Sequence, residues 1–416
     1  MANNTARCIT KPKDWEPRLL GWLDFTFPHF SYHTGNHFKY PYGTFPNTAF
    51  GAFSSLSMEE AALHYNTSDL VALIGYDYKN NIERLSSQNK ALIDLESAVF
   101  FKPELSIEVG DQHLNFKGEA CEEFITSFLN FEYKEEPNPE VKVKGLDTAE
   151  SYQDNVKKIQ NHIREGDIYE LNYCISFSFE ETQWNPINGF LDLMQKSPMP
   201  FSGMFKSGGK YLLSASPERF IKKMGKKLIA QPIKGTIKRG ASPEEDESLK
   251  EQLLGSEKER AENLMIVDLM RNDMSKISET GSVQVEELFG IYSFPRVHQM
   301  ISTVSSQIQD NLGLLDLIHA TFPMGSMTGA PKIKCMELIE CYENFKRGWF
   351  SGSFGLFESN GDFDLNVVIR SILYDKESGK GYFAVGSAIT YDADPAYEYK
   401  ECLLKASAIL EILEGK

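Results

Sequence analysis

The sequence predicts a soluble globular chain that mixes antiparallel strands with helices, and three observations indicate this. Its 416 residues are 41% hydrophobic and 12% aromatic, enough for one large core or for two lobes that share one. Apolar and polar residues alternate in short runs joined by tight turns, which is typical of antiparallel strands. Other segments carry apolar residues at helical spacing, most clearly 151–165, which ends at Gly166.

Composition excludes several classes of function. The formal net charge of -16 argues against a nucleic-acid partner or an anionic membrane surface, because both would repel the chain. No apolar run approaches the ~20 residues of a membrane span, and residues 1–15 lack the apolar segment of a signal peptide. The six cysteines are scattered, without metal-ligand spacing, so we expect reduced thiols and a cytoplasmic protein.

The first part of the chain has patterns of secondary structure but no candidate catalytic or binding residue. Its patterns predict loops and short strands over 22–51, a short helix over 59–64, and strands over 70–76 and 98–102. The polar stretch 133–140 interrupts both periodicities and predicts a boundary. We therefore expect an N-terminal lobe over residues 1–140.

Lys234 lies where a strand is expected to loosen, because Pro232 cannot donate to a ladder and Gly235 weakens one. A hairpin centred on Gly225 places Glu218 opposite Pro232, with Lys234 as its diagonal neighbour at roughly 7–8 Å. This carboxylate is thus a candidate partner for the lysine. Taken alone, the lysine is more often a solvated charge at a strand end than a nucleophile.

Two predicted helices each carry a Glu-x-x-Glu pair. Helices are expected over 242–254, over 256–274 and from Asp394 to Gly415. The paired residues are Glu259 and Glu262 on the second helix and Glu398 and Glu401 on the third, where Lys405 follows four residues later. Ser256 offers a capping explanation for Glu259. Two such pairs, in a chain without softer ligands, suit a hard cation such as Mg²⁺.

Two further features indicate an anionic ligand. Residues 325–332 are small and polar and are expected to open a helix with its amides free for an anion. A turn centred on Ser378 places Arg370 opposite Gly386, which leaves room for a small anion beside the guanidinium, although a structural ion pair is equally common.

Eight ordered motifs resemble those of the chorismate-utilising enzymes. They are Gly166-Asp-Ile-Tyr169, Ser216-Pro-Glu-Arg-Phe220, Pro232-Ile-Lys-Gly-Thr236, Ala261-Glu-Asn-Leu-Met265, Asp268-Leu-Met-Arg-Asn-Asp273, Thr328-Gly-Ala-Pro-Lys332, Ile369-Arg-Ser371 and Glu398-Tyr-Lys-Glu401. The resemblance is strong over residues 147–416, the expected chorismate-binding catalytic domain, and loose before them. Within the family, the chain is similar to the p-aminobenzoate branch, which serves folate synthesis.

The resemblance implies an α+β fold with two large antiparallel sheets packed face to face and helices outside. It also assigns roles to residues. Glu262 and Glu401 match Mg²⁺ ligands, and Glu259 and Glu398 match supporting carboxylates. The positions that match contacts to chorismate or its carboxylates are Ser326, Arg370, Gly386, Ser387 and Lys405. His298 matches the histidine at the reacting ring.

The branch assignment depends on Lys234. By resemblance, enzymes of the anthranilate and isochorismate branches have a similar motif with alanine at the position of this lysine. By resemblance, this transferase-type enzyme adds Lys234 to chorismate and displaces the 4-hydroxyl, and ammonia then displaces the lysine. Glu218 or His298 is the expected acid or base. Ammonia is expected from a separate glutaminase subunit. Glu170 departs from the family, which commonly has glutamine there.

Two other readings stay open at this point. One is anthranilate synthase component I, which releases pyruvate from chorismate, whereas the p-aminobenzoate branch retains the pyruvyl ether. The other is a regulatory relative without activity, and the intact Lys234 and the two pairs of glutamates argue against it.

Overall fold

The structure is a computed structural model that describes residues 5–134 and 136–415. The strands are β1 Thr5–Thr10, β2 His29–Thr34, β3 Thr48–Ala52, β4 Leu70–Ile74, β5 Ala98–Phe101, β6 Leu105–Val109, β7 His113–Gly118, β8 Lys144–Gly145, β9 Glu170–Glu180, β10 Phe201–Ser207, β11 Lys210–Ser216, β12 Arg219–Met224, β13 Lys227–Gln231, β14 Ile233–Lys238, β15 Gln284–Ser293, β16 Val297–Gln307, β17 Gly329–Ala330, β18 Ser353–Phe357, β19 Phe363–Asn366, β20 Ser371–Asp375 and β21 Lys380–Ile389. The helices are α1 Trp15–Thr26, α2 Met58–His64, α3 Lys79–Ile82, α4 Cys121–Asn130, α5 Ala149–Glu165, α6 Pro186–Lys196, α7 Pro243–Gly255, α8 Glu257–Ser275, α9 Leu314–Thr321, α10 Lys332–Tyr342 and α11 Pro395–Leu413.

The strands form two antiparallel sheets within the described residues. The twelve-stranded sheet has the order β1-β7-β6-β3-β2-β10-β11-β20-β21-β9-β17, with β8 paired to β9. The nine-stranded sheet has the order β14-β16-β13-β12-β19-β18-β4-β5, with β15 paired to β16. Strands β9 and β14 therefore both lie near one edge of their sheets, and the candidate site is built there.

The sheets pack face to face over an apolar layer. Phe205 of β10 and Phe354 of β18 meet across it with ring centroids 5.9 Å apart, and one buried cluster contains residues of both sheets. A second buried cluster lies between the outer face of the larger sheet and helices that include α1, α5, α6 and α11. This arrangement confirms the expected α+β fold.

Both sheets contain strands from each side of the polar stretch 133–140. Strands β1, β2, β3, β6 and β7 share the larger sheet with β9, β10, β11, β20 and β21, and β4 and β5 pair alongside β18 in the smaller one. The two regions thus share their sheets. No helix in the described part of the chain is long and apolar enough to cross a membrane.

Most elements agree with the sequence patterns, and three differ. Helix α1 occupies Trp15–Thr26, where loops had been expected from residue 22 onward. The helix expected to open within 325–332 begins only at Lys332, because a 3-10 turn at Gly325–Met327 and the short strand β17 precede it. The Thr328 hydroxyl, which precedes this helix, donates to the carbonyls of Met324 and Gly325.

The third difference concerns Arg370, which does not lie opposite Gly386. Strand β20 begins only at Ser371, and Gly386 pairs with Cys174 of β9 instead. The chain leaves the smaller sheet after Asn366 and enters the larger one at Ser371. Arg370 lies at this crossing between the sheets.

Candidate active site

A bulge at Lys234 and Gly235 presents the lysine to the site. Strands β13 and β14 run as one interrupted strand along β16, with Ile233 opposite Ile301 and Thr236 opposite Gln299, and the register shifts between these pairs. Gly235 has a φ of 91°, a left-handed value that favours glycine. The predicted loosening of the ladder at Lys234 is therefore confirmed.

Glu218 reaches the same place through a second irregularity. The hairpin pairs Met224 with Lys227, one residue out of the expected register, but a shift between Arg219 and Lys222 restores Arg219 opposite Gln231. Glu218 is the residue before Arg219, and its carboxylate accepts a hydrogen bond from the Ile233 amide. The side chain is 4% exposed.

Lys234 and Glu170 join the two sheets. The Nζ atom of Lys234 donates to Oε1 of Glu170 at 2.7 Å, and the side chains are 10% and 1% exposed. Burial alone would lower the pKa of the Lys234 ammonium, but the surrounding carboxylates, Glu170 first, raise it above its ordinary value. The lysine is thus held as a buried cation against a buried anion.

Burial raises the pKa of Glu218 to about 7, against the opposing effects of the Ser326 hydroxyl, Lys234, the Ile233 amide and Arg370. Three predicted site residues, Lys234, Ser326 and Arg370, thus act on Glu218. A carboxyl group with this pKa is about half protonated at neutral pH, and it is able to give or take a proton there.

The four glutamates of the two Glu-x-x-Glu pairs face the same region from α8 and α11. Burial raises the pKa of Glu262 to about 8, with Lys234 opposing and Glu170 adding to the rise. Burial also raises the pKa of Glu259, whose Oε2 would lie 3.0 Å from a Cβ atom at Gly235. For Glu401, burial is outweighed by Lys405, which lowers the pKa and pairs with it at 2.5 Å.

Lys258 lies among these carboxylates, and the sequence analysis did not single it out. Its Nζ is 2.9 Å from Glu398 Oε1 and 3.8 Å from Glu262 Oε1. Glu262 Oε1 is buried without a hydrogen-bond partner. The i, i+4 spacing of Lys258 and Glu262 was the available sequence signal.

The donor set fits a hard divalent cation. Carboxylate oxygens are the ligands that Mg²⁺ prefers, and the unpartnered Glu262 Oε1 is an available donor. These glutamates do not bring three ligand atoms within 4.8 Å of one another in the described part of the chain. Across 5–134 and 136–415, the side chains found with three ligand atoms within 4.8 Å of one another are His162, Glu165 and Asp167, outside this site.

The remaining predicted contacts line the larger sheet and α11. Ser387 donates its hydroxyl hydrogen to Glu398 Oε2, and Lys405 donates to the carbonyl of Gly386 at 3.1 Å. A Cβ atom at Gly386 would lie 2.5 Å from Cys174 Sγ, so this position requires glycine. The structure thus connects Gly386 and Ser387 of β21 with the glutamates of α11.

Within the described residues, the Arg370 guanidinium has few contacts with other protein groups. Its described side-chain contact is to Met199 Sδ at 3.9 Å, and its φ of 51° is rare for a residue with a side chain. Burial lowers the pKa of Arg370 to about 10, with Glu218 opposing. An arginine held in this way is suited to bind a carboxylate.

We expect Arg370→Gln to weaken substrate binding. Loss of charge-assisted hydrogen bonds costs about 1.5–3 kcal/mol, so KM for the anionic substrate should rise about 10- to 100-fold. Steady-state kinetics check this, with Arg296→Gln as a control at an exposed arginine. An unchanged KM in the Arg370 variant would remove this residue from the binding site.

His298 is not brought into contact with the other predicted site residues. It lies in β16, fully buried, with Nε2 2.8 Å from Asp246 Oδ1 and Nδ1 2.8 Å from Ser293 Oγ. Both ring nitrogens are thus engaged by side chains outside the site. Its placement at the reacting ring stays a prediction.

Sequence reasoning missed Glu170 as the partner of Lys234. It noted that Glu170 departs from a glutamine that is common in the family, and it did not pair this residue with the lysine. The two residues are 64 positions apart and lie in different sheets. No local pattern connects them, and the departure itself was the one available signal.

Comparisons with known proteins identify the family of this chain. Residues 10–411 match the family of chorismate-binding enzymes. The chain is 41% identical over 270 residues to the probable chloroplastic aminodeoxychorismate synthase of Oryza sativa subsp. japonica, covering 64% of this chain and 30% of the relative. It is 38% identical over 267 residues to aminodeoxychorismate synthase component 1 of Bacillus subtilis, covering 64% of this chain and 56% of the relative.

The fold has also been seen before. The crystal structure of anthranilate synthase component I from Streptococcus pneumoniae superimposes with a TM-score of 0.76 at 23% identity, over 99% of this chain and 93% of that one. At this identity the likeness concerns the fold alone. The chain spans less than two thirds of the length of the two relatives named above. On the match over 10–411, it belongs to the family of chorismate-binding enzymes.

Proposed function

We propose that the protein converts chorismate and ammonia to 4-amino-4-deoxychorismate, the reaction of aminodeoxychorismate synthase component 1. The observation that carries the proposal is Lys234, which is buried between the sheet edges with Glu170 at 2.7 Å and is affected by Glu218. The names of the rice and Bacillus relatives support the same branch. A lysine placed in this way is suited to act as a nucleophile.

Different residues of this chain serve as nucleophile, as acid and as contacts to the substrate. Lys234 loses a proton and adds to the chorismate ring, while Glu218, with a pKa near 7, gives a proton to the departing 4-hydroxyl. Ammonia then displaces the lysine. Arg370 and Ser326 hold the substrate beside these two groups.

Mg²⁺ is the proposed cofactor. Glu262 and Glu401 would hold it, with Glu259 and Glu398 in support. When bound, it supplies positive charge that anchors a carboxylate of the substrate. The unpartnered Glu262 Oε1 and the raised pKa values of Glu262 and Glu259, both caused first by burial, support this assignment.

Ammonia is proposed to come from a separate glutaminase subunit. The Bacillus relative is named component 1, which is compatible with a second component in that enzyme. The rice relative is more than three times as long as the region matched here. A partner that delivers ammonia from glutamine is therefore part of the proposal.

Glu218→Gln should lower kcat by about 10²–10⁴-fold, the usual contribution of a positioned acid. The acid must be protonated, so wild-type activity should fall as pH rises through about 7, and this decline should be absent in the variant. A pH–rate series on both proteins measures this. Glu358→Gln, at an exposed glutamate after β18, is the control. A variant with the wild-type rate and profile would exclude Glu218 as the acid.

The product identifies the reaction. The purified protein, given chorismate, Mg²⁺ and ammonium, should yield 4-amino-4-deoxychorismate, which mass spectrometry detects with its pyruvyl ether intact. Formation of anthranilate with release of pyruvate would assign the chain to the anthranilate branch. Absence of any product, with chorismate still bound, would indicate a regulatory relative.

A further inference from the structure

We infer that Glu170 is the base that takes the proton from Lys234 before the lysine attacks. The inference rests on the proposed function and adds a catalytic residue to it. Glu170 touches the reacting nitrogen directly, through the 2.7 Å contact between its Oε1 and Nζ. Glu218 is then left free to act as the acid.

Distance selects Glu170 among several carboxylates near the lysine. Within the described residues, its carboxylate is the one that lies within 4.0 Å of Nζ. Glu262 on α8 and Glu218 before β12 act on Lys234 from farther away, and so do Glu259 on α8 and Glu401 on α11. A proton moves directly only between groups in hydrogen-bond contact. Glu170 is therefore the residue that meets this requirement.

The second carboxylate oxygen of Glu170 supports its role as a base independently of the distance to Nζ. Oε2 is buried and has no hydrogen-bond partner, although the residue is 0% exposed. A buried anionic oxygen without a donor is unfavourable, and taking up a proton removes that charge. A carboxylate that served only as a structural ion pair would be expected to have both oxygens satisfied.

The backbone holds this carboxylate in place. Glu170 begins β9 and pairs with Ala330 of β17, and its carbonyl accepts a hydrogen bond from Cys335 Sγ at 3.2 Å. The side chain thus projects from a fixed strand end toward the bulge that carries Lys234.

An N–H bond of the Lys234 ammonium breaks and an O–H bond forms on Glu170. The freed electron pair on Nζ forms a bond to the chorismate ring, the π electrons of the ring shift, and the bond from carbon 4 to its hydroxyl breaks. The hydroxyl takes a proton from Glu218 and leaves as water. When ammonia bonds to carbon 4, the π electrons shift back and the bond between the ring and Nζ breaks. Nζ then regains its proton from Glu170, and the new ammonium group at carbon 4 returns a proton to Glu218.

A purely electrostatic role for Glu170 predicts the opposite result when the residue is replaced. If Glu170 only held the lysine as a cation, its removal would lower the pKa of Lys234, because burial then acts with less opposition. More of the lysine would be neutral, and attack would be faster at neutral pH. Replacing Glu170 by the isosteric glutamine therefore distinguishes a base from an electrostatic restraint.

The test measures the rate at which chorismate modifies Lys234 in the presence of Mg²⁺ and without ammonia, by mass spectrometry of the whole protein. Glu170→Gln should slow this rate about 10²–10⁴-fold with little change in KM for chorismate. The deficit should shrink as pH rises, because solvent then removes the proton. Glu180→Gln, at the exposed far end of β9, should behave as wild type.

Wild-type or faster modification in the Glu170→Gln variant would overturn the inference while leaving the proposed function intact. If the wild-type protein itself forms neither the adduct nor the aminated product, the proposed function fails, and the inference fails with it. Should the glutamine variant not fold, Glu170→Asp decides. It keeps the base but lengthens the gap to Nζ, so modification should be slower than in wild type, and an undiminished rate would contradict the assignment.

Discussion

Lys234→Ala should reduce formation of 4-amino-4-deoxychorismate by on the order of 10³-fold or more, as happens when an activated nucleophile is deleted. The reason is structural, because Nζ, the proposed nucleophile, lies between the two sheets and is paired with Glu170. Residual turnover should come from direct attack by ammonia and should shift toward anthranilate-like products. Product analysis by mass spectrometry at fixed ammonium concentration measures both changes.

Lys238→Ala is the matched control, since Lys238 ends the same strand with an exposed side chain. It should retain the wild-type rate. Thermal unfolding of both variants separates a catalytic loss from a folding defect. Full synthesis of the aminated product by Lys234→Ala would show that Lys234 is not the nucleophile.

Removal of the divalent cation should abolish turnover, and Glu262→Gln should raise the Mg²⁺ concentration needed for it. The buried, unpartnered Oε1 of Glu262 is the proposed donor. Even supporting residues of metal sites cost about 10–100-fold in affinity when they are replaced, and we expect at least this loss. Titration of activity with Mg²⁺ after treatment with a chelator measures it.

Glu257→Gln serves as the control for this series, because Glu257 begins the same helix but is exposed. Its Mg²⁺ dependence should match that of the wild type. Equal Mg²⁺ dependence in Glu262→Gln and Glu257→Gln would remove Glu262 from the metal site. Full activity in the presence of excess chelator would contradict the cofactor assignment.

Local patterns predicted the parts of the site that depend on neighbours in sequence. The proline and glycine around Lys234 indicated the loosened ladder, which the structure shows as a bulge at Gly235. The tight turn near Gly225 indicated that Glu218 comes close to the strand of Lys234, although the hairpin is one residue out of the expected register up to the shift between Arg219 and Lys222. Both residues lie in one hairpin and its extension, where periodicity carries the information.

These local patterns could not predict contacts between the two sheets. The partner of Lys234 is Glu170, in the other sheet, and nothing in the spacing of the chain encodes that meeting. Arg370 was misplaced for a related reason, because the apolar residues Val367, Val368 and Ile369 continue through the crossing and no break in the pattern marks the change of sheet. Helix α1 was missed because aromatic residues near its end suggested irregular structure.

The most direct test of the central claim is to incubate the wild-type protein with chorismate and Mg²⁺ in the absence of ammonia, and then to locate any adduct by peptide mass spectrometry. The structure predicts an adduct on the peptide that carries Lys234, with the mass of chorismate less water, which disappears when ammonium is added and aminated product forms. Aminated product without any adduct on Lys234 would contradict the covalent role of this lysine.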